Sequence, residues 1–78
     1  MEASHFPTVP SKPHAGHLLR DWRRRAGFTQ EGLARALSVT FSTVSRWENG
    51  HVRPSKLAWK AIQRLARERA VALDDTAA

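Results

Sequence analysis

Apolar residues recur at intervals of three and four through most of this chain. Each run is bounded by residues that start or stop a helix. Leu18, Leu19, Trp22 and Ala26 share one helical face, with arginines on the others, which predicts a helix over about 16–25. Gly27, just past its end, suits a left-handed stop. Leu33, Ala34 and Leu37 predict a second helix over 30–37, with Thr29 as N-cap and Glu31 favouring the positive helix start. Val44 and Trp47 lie on the inner face of a third helix over about 41–49, capped by Thr40 and stopped by Gly50. A fourth begins at Ser55, after Pro54, and carries Ala58, Ala61, Ile62, Leu65 and Ala66 to about Arg69, or on through Leu73. No segment alternates apolar and polar residues between turn signals, so the fold class is all-α.

Outside this patterned stretch the composition changes. Residues 1–14 hold Pro7, Pro10 and Pro13 among Ser, Thr and His, and read as a flexible arm. Residues 15–73 form the domain, and 74–78 read as a frayed acidic tail. The expected architecture is a compact domain of four helices, five at most, behind a disordered N-terminal arm. Trp22 and Trp47 fall on inward positions and belong to the core. Trp59 stands one residue off the main stripe and is expected at the core edge, with an exposed partner surface as the competing reading.

Charge narrows the function. The chain carries 13 Lys and Arg against 7 Asp and Glu, a net +6. Between Gly16 and Arg69 there are twelve basic and four acidic residues, so the patterned region is more basic still. Ten of the 13 basic residues are Arg, whose planar fork suits phosphate and guanine. A compact domain this basic attracts a polyanion, nucleic acid first and an anionic membrane second.

The second and third helices, joined by the short turn Ser38 to Thr40, then take on a specific meaning. A helix-turn-helix needs a small residue where its helices cross, and Ala34 stands there. It needs apolar residues anchoring the second of the two helices, and Val39, Val44 and Trp47 do this. It also needs a polar outer face to enter the major groove, and Phe41, Ser42, Thr43, Ser45 and Arg46 are available. Only Phe41 is apolar, and its ring can meet a thymine methyl group.

The stretch T-Q-E-G-L-A-R-A-L-S-V-T-F-S-T-V-S-R-W-E-N-G, Thr29 to Gly50, closely resembles the phage-repressor and Cro-type (XRE-like) helix-turn-helix family. L-x-x-W-R-x-x-A-G-F upstream (Leu19 to Phe28) and R-P-S downstream (Arg53 to Ser55) fit it too. The resemblance covers about residues 16–69. It implies base contacts from Phe41, Ser42, Thr43 and Arg46 in the major groove. It implies phosphate contacts from Gln30, Ser45, Asn49 and Arg53, and His51 in the same loop is placed to join them. It implies an internal ion pair, Arg23 with Glu48, tying the first helix to the end of the third. One departure is Ser38, where the family usually has Gly. A left-handed backbone there costs Ser on the order of 1 kcal/mol more than Gly.

Several classes fall away. His14 and His17 stand three apart, with His5 upstream, but there is no Cys and no nearby acid, so no metal site is expected. No nucleophile–base pair, carboxylate pair or glycine-rich phosphate loop is visible, so neither an enzyme nor a cofactor is expected. No apolar run reaches the ~18 residues of a membrane span, and residues 1–14 show no secretory leader. The expectation is a cytoplasmic, sequence-specific regulator of transcription, a repressor, binding double-stranded DNA as a homodimer. The alternative is an antitoxin-type module that also grips a toxin-like protein partner, with the proline-containing arm and Trp59 as the features that would serve it.

Overall fold

The computed structural model describes residues 9–73. Four helices follow one another: α1 (Lys12–Arg25), α2 (Gln30–Leu37), α3 (Phe41–Glu48) and α4 (Lys56–Arg69). There is no β-strand among the described residues. The first eight residues of the expected arm, and the expected acidic tail, lie outside the described residues.

The helix boundaries follow local chemistry. α1 starts at Lys12, four residues before the expected Gly16, so residues 12–14 belong to a helix and not to the arm. Pro13 explains the difference. A proline in the first turn gives up an N–H that has no intrahelical partner anyway, and its fixed φ already suits a helix. Pro10 stays outside the helix, whereas Pro13 opens it.

α2 matches its expected span, and its cap Thr29 accepts the Gly32 N–H at 2.9 Å. α3 is capped by Thr40, which accepts the Thr43 N–H at 3.1 Å. It ends at Glu48, one residue short of expectation, with Asn49 as its C-cap. α4 is capped by Ser55, which accepts the Ala58 N–H at 3.1 Å, and it stops at Arg69 without reaching Leu73.

Two tight turns shape the motif. Gly27, at φ +82°, reverses the chain after α1. Ser38 sits at φ +59° and ψ +41°, the left-handed conformation anticipated for a position that favours glycine. The turn is nevertheless closed by two backbone bonds: Ser38 N–H donates to Arg35 O at 3.2 Å and Val39 N–H to Ala34 O at 2.9 Å.

One core unites the helices. Leu18, Leu19 and Trp22 of α1 meet Leu33 and Ala34 of α2, Val44 and Trp47 of α3, and Trp59, Ile62 and Ala66 of α4. Trp59 is 1% exposed, so it is neither a core-edge residue nor a partner surface. The buried line of α4 runs through 59, 62 and 66, while Ala58, Ala61 and Leu65 are only half-buried. A short apolar stripe more than a quarter-turn wide fixes a helix's rotation only loosely, and the large ring is turned fully into the core.

Beyond α4 the chain folds back across α1. Trp22 Nε1–H donates to Val71 O at 2.7 Å, and Leu73 is fully buried. The Arg69 guanidinium lies 4.4 Å from the centre of the Phe28 ring, which itself tilts against Trp22.

α1 and α3 approach closely because Gly16 has no side chain. A Cβ there would sit 2.6 Å from Trp47 O and 2.7 Å from Glu48 O, both backbone atoms that cannot rotate away. Gly16→Ala should therefore destabilise the domain by about 1–3 kcal/mol through overpacking. Ser38→Gly should act in the opposite direction, by about 0.5–1 kcal/mol, because it relieves the left-handed strain. Thermal unfolding followed by circular dichroism checks both; a neutral Gly16→Ala would show that the two helices are free to separate.

Candidate nucleic-acid interface

α3 has two faces of opposite character. Val44, Trp47 and Glu48 are buried and hold it against α1 and α2. Ser42 and Arg46 stand four residues apart on the opposite side, and both are exposed. Phe41 begins the helix with half its surface in solvent, 50% exposed. A phenyl ring left this open gives up burial that the fold could have used, unlike the three buried tryptophans.

Thr43 is half-buried at the edge of this face, and its hydroxyl lies 2.8 Å from the hydroxyl of Thr40. It is thus partly engaged in closing the helix start. Of the four residues expected at base edges, three are free on the surface and one also has a capping role. A shallow cleft lined by Thr43, Arg46, Trp47 and Val52 borders them.

What aims this face is a buried polar cluster at the other end of α3. Glu48 accepts from Arg23 twice, Nε to Oε2 at 2.6 Å and Nη2 to Oε1 at 3.1 Å. The expected ion pair is therefore present, and it is bidentate. Arg23 also donates to Phe28 O at 3.0 Å, which fixes the loop into α2. Gln30 Nε2 donates to Glu48 Oε1 at 3.0 Å. One carboxylate thus joins α1, α2 and α3. Gln30 keeps a second N–H on the same nitrogen, and that hydrogen is the one available to a phosphate.

The expected phosphate contacts divide in the same way. Asn49 is exposed and held at both ends of its amide. Its Oδ1 accepts from Arg20 Nη2 at 3.1 Å, and its Nδ2 donates to Ser45 Oγ at 3.3 Å. Ser45 is half-buried beneath it. His51 and Arg53 are exposed in the loop before α4, and their side chains make no hydrogen bond or ion pair among the described residues.

Arg20 is the residue that sequence reasoning missed. It precedes Arg23 by one helical turn, and its Nε lies 3.5 Å from Glu48 Oε1. The signal was legible: two arginines three apart on one face, opposite a single buried acid.

Among the described residues, no group of three or more His, Cys, Asp or Glu is placed to hold a metal ion, and no helix is long and apolar enough to cross a membrane.

The sequence profile of a family described as helix-turn-helix domain, within the XRE/Cro-like group, matches residues 14–77. Among solved structures, the fold is similar to part of Fe(II)-HppE, crystallised with the alternative substrate (S)-1-HPP. That similarity has a TM-score of 0.61 and 27% sequence identity over 85% of this chain. It covers 33% of the HppE chain, so this protein spans about a third of that one's length. No curated protein matches the sequence.

Removing one partner of the cluster strands a buried charge. Glu48→Ala and Arg23→Ala should each lower the unfolding free energy by about 3–5 kcal/mol. The double variant should cost clearly less than the sum, since the two share one interaction. Urea unfolding of the three variants measures this, and strict additivity would show that the pair is not coupled.

Proposed function

The chain belongs to the helix-turn-helix domain family, and from that premise we propose that it is a sequence-specific DNA-binding regulator of transcription, acting as a repressor in the cytoplasm. The observation that carries this reading is the outer face of α3. It is exposed and mostly uncharged, and the buried Glu48 cluster holds it rigidly. A domain that bound polyanions by charge alone would not need such a face, because Arg46 is the only cation on it.

In this reading α3 lies in the major groove. Arg46 donates two parallel N–H bonds to a guanine edge, Ser42 and Thr43 bond to neighbouring bases, and Phe41 packs on a thymine methyl. Gln30, Ser45, Asn49, His51 and Arg53 set the register on the phosphates. One such helix reads only four or five base pairs, too few for genomic selectivity. The protein therefore acts as a homodimer on DNA, with half-sites about one helical turn apart. The start of α4 and the loop before it form the contact between protomers, where Leu57 is 79% exposed.

The antitoxin-type alternative loses one of its two supports, because Trp59 is buried and offers no surface to a partner. Its other support, the N-terminal arm, lies mostly outside the described residues.

Selection of binding sites from random duplex DNA tests the proposal. The wild-type protein should enrich a two-fold or directly repeated motif, and Arg46→Ala should lose the preference at about one base position per half-site, worth about 1–3 kcal/mol. Scattering mass on the selected duplex should correspond to two protomers. No enrichment by a folded protein would overturn specific recognition, and a single protomer on a full site would overturn the dimer.

A further inference from the structure

A cleft of about 420 Å³ opens where the first turns of α1 meet the C-terminus of α3. It is lined by Lys12, Pro13, His17 and Arg20 on one side and by Glu48, Asn49 and Gly50 on the other. We propose that this cleft seats a backbone phosphate of the bound duplex, held by Lys12, His17 and Arg20 beside Asn49. The inference rests on the DNA-binding reading and adds a site to it.

The charge balance favours an anion. Glu48 is the one acid lining the cleft, and its carboxylate is already met by the two close bonds from Arg23. Arg20 approaches that carboxylate no closer than 3.5 Å, so its charge is surplus to the pair. The side chains of Lys12 and His17 are exposed and make no hydrogen bond or ion pair among the described residues. The carbonyls at the end of α3 do not project unanswered into the space. Asn49 N–H donates to Ser45 O, Gly50 N–H to Trp47 O and His51 N–H to Arg46 O.

The cleft is also built, not incidental. Lys12, Gly16, His17 and Arg20 fall on one face of α1. Gly16, in the middle of that face, lets the end of α3 come within contact distance and so brings Asn49 and Gly50 up to the cations. The Arg20 guanidinium is fixed before any ligand arrives, donating to Asn49 Oδ1 at 3.1 Å and to Glu48 O at 3.5 Å. A cation that need not be ordered on binding loses less entropy when it meets its phosphate.

Position supports a duplex as the source of that phosphate. Asn49 follows Ser42 by seven residues, about 10 Å along the axis of α3. The major groove is about 12 Å wide, so a helix whose start faces the bases carries its far end towards the phosphate wall. The cleft lies at that far end.

The test uses the full chain with Lys12→Ala and His17→Ala, separately and together. Both side chains are exposed, so neither change disturbs the core. On the site selected by the wild type, the double variant should bind about fivefold or more weakly at physiological salt. Its slope of log K against log salt should be shallower by about one to two. The loss should be equal on selected and random duplex, because a phosphate carries no sequence. Ethylation interference should show one phosphate per half-site that matters to the wild type and not to the double variant.

An unchanged slope and footprint, with wild-type binding intact, would overturn this site and leave the regulator reading standing. No binding of any duplex by the folded wild type would overturn both. Inorganic phosphate is the control probe. Millimolar phosphate shifting the Lys12 and His17 resonances, while the double variant binds DNA like the wild type, would mark a small-anion site and overturn the duplex assignment.

Discussion

Glu48 lies buried at the last turn of α3, where Arg23 of α1 and Gln30 of α2 both donate to its carboxylate. Everything that makes the outer face of α3 useful depends on this one group. An eight-residue helix is too short to be stable alone, so its direction must come from packing and from its ends. At its start, Thr40 caps it. Along its inner side, Val44 and Trp47 sit in the core. At its finish, the carboxylate fixes both its rotation and its distance from the two preceding helices. A buried ion pair often adds little net stability over an apolar replacement, but it tolerates few geometries. In this domain that restriction aims the exposed Ser42 and Arg46.

The same constraint organises the polar residues around it. Arg23 serves Glu48 and the loop carbonyl of Phe28, so the entry into α2 is set together with the end of α3. Arg20, one turn earlier, serves Asn49 and so extends the ordered region from the buried cluster to the surface. The gradient from a dry, paired interior to an exposed cationic rim is what a reader of DNA requires. Base contacts need a rigid support, and phosphate contacts need free donors at its edge. Gly16 makes the arrangement possible, because any side chain there would push α1 off the carbonyls of Trp47 and Glu48.

Much of this was legible in the sequence, for reasons that differ by residue. The caps Thr29 and Thr40 were readable because their chemistry is local, whereas Ser55, read as the first residue of the fourth helix, proves to be its cap. Strain at Ser38 was readable because the motif demands a left-handed residue at a place where the chain offers no glycine. The pair of Arg23 and Glu48 came through the family resemblance and is present. The start of α1 was misjudged because three prolines suggested an unbroken arm, whereas Pro13 is tolerated in a first turn. The depth of Trp59 was misjudged because periodicity fixes a helix's rotation only to within a residue. Arg20 was overlooked although its spacing from Arg23 was readable. Its role depends on Asn49, 29 residues away, and only the fold brings the two together.

The account stands on the claim that the outer face of α3 meets DNA and that the opposite faces of the molecule do not. Amide resonances followed by heteronuclear NMR during titration with the selected duplex test this most directly. The largest shifts are expected at Phe41, Ser42, Thr43 and Arg46, with further shifts around Gln30 and Asn49 and almost none at the end of α4, around Arg67 and Glu68. Shifts concentrated at that end of α4, with the residues of α3 unmoved, would contradict the claim.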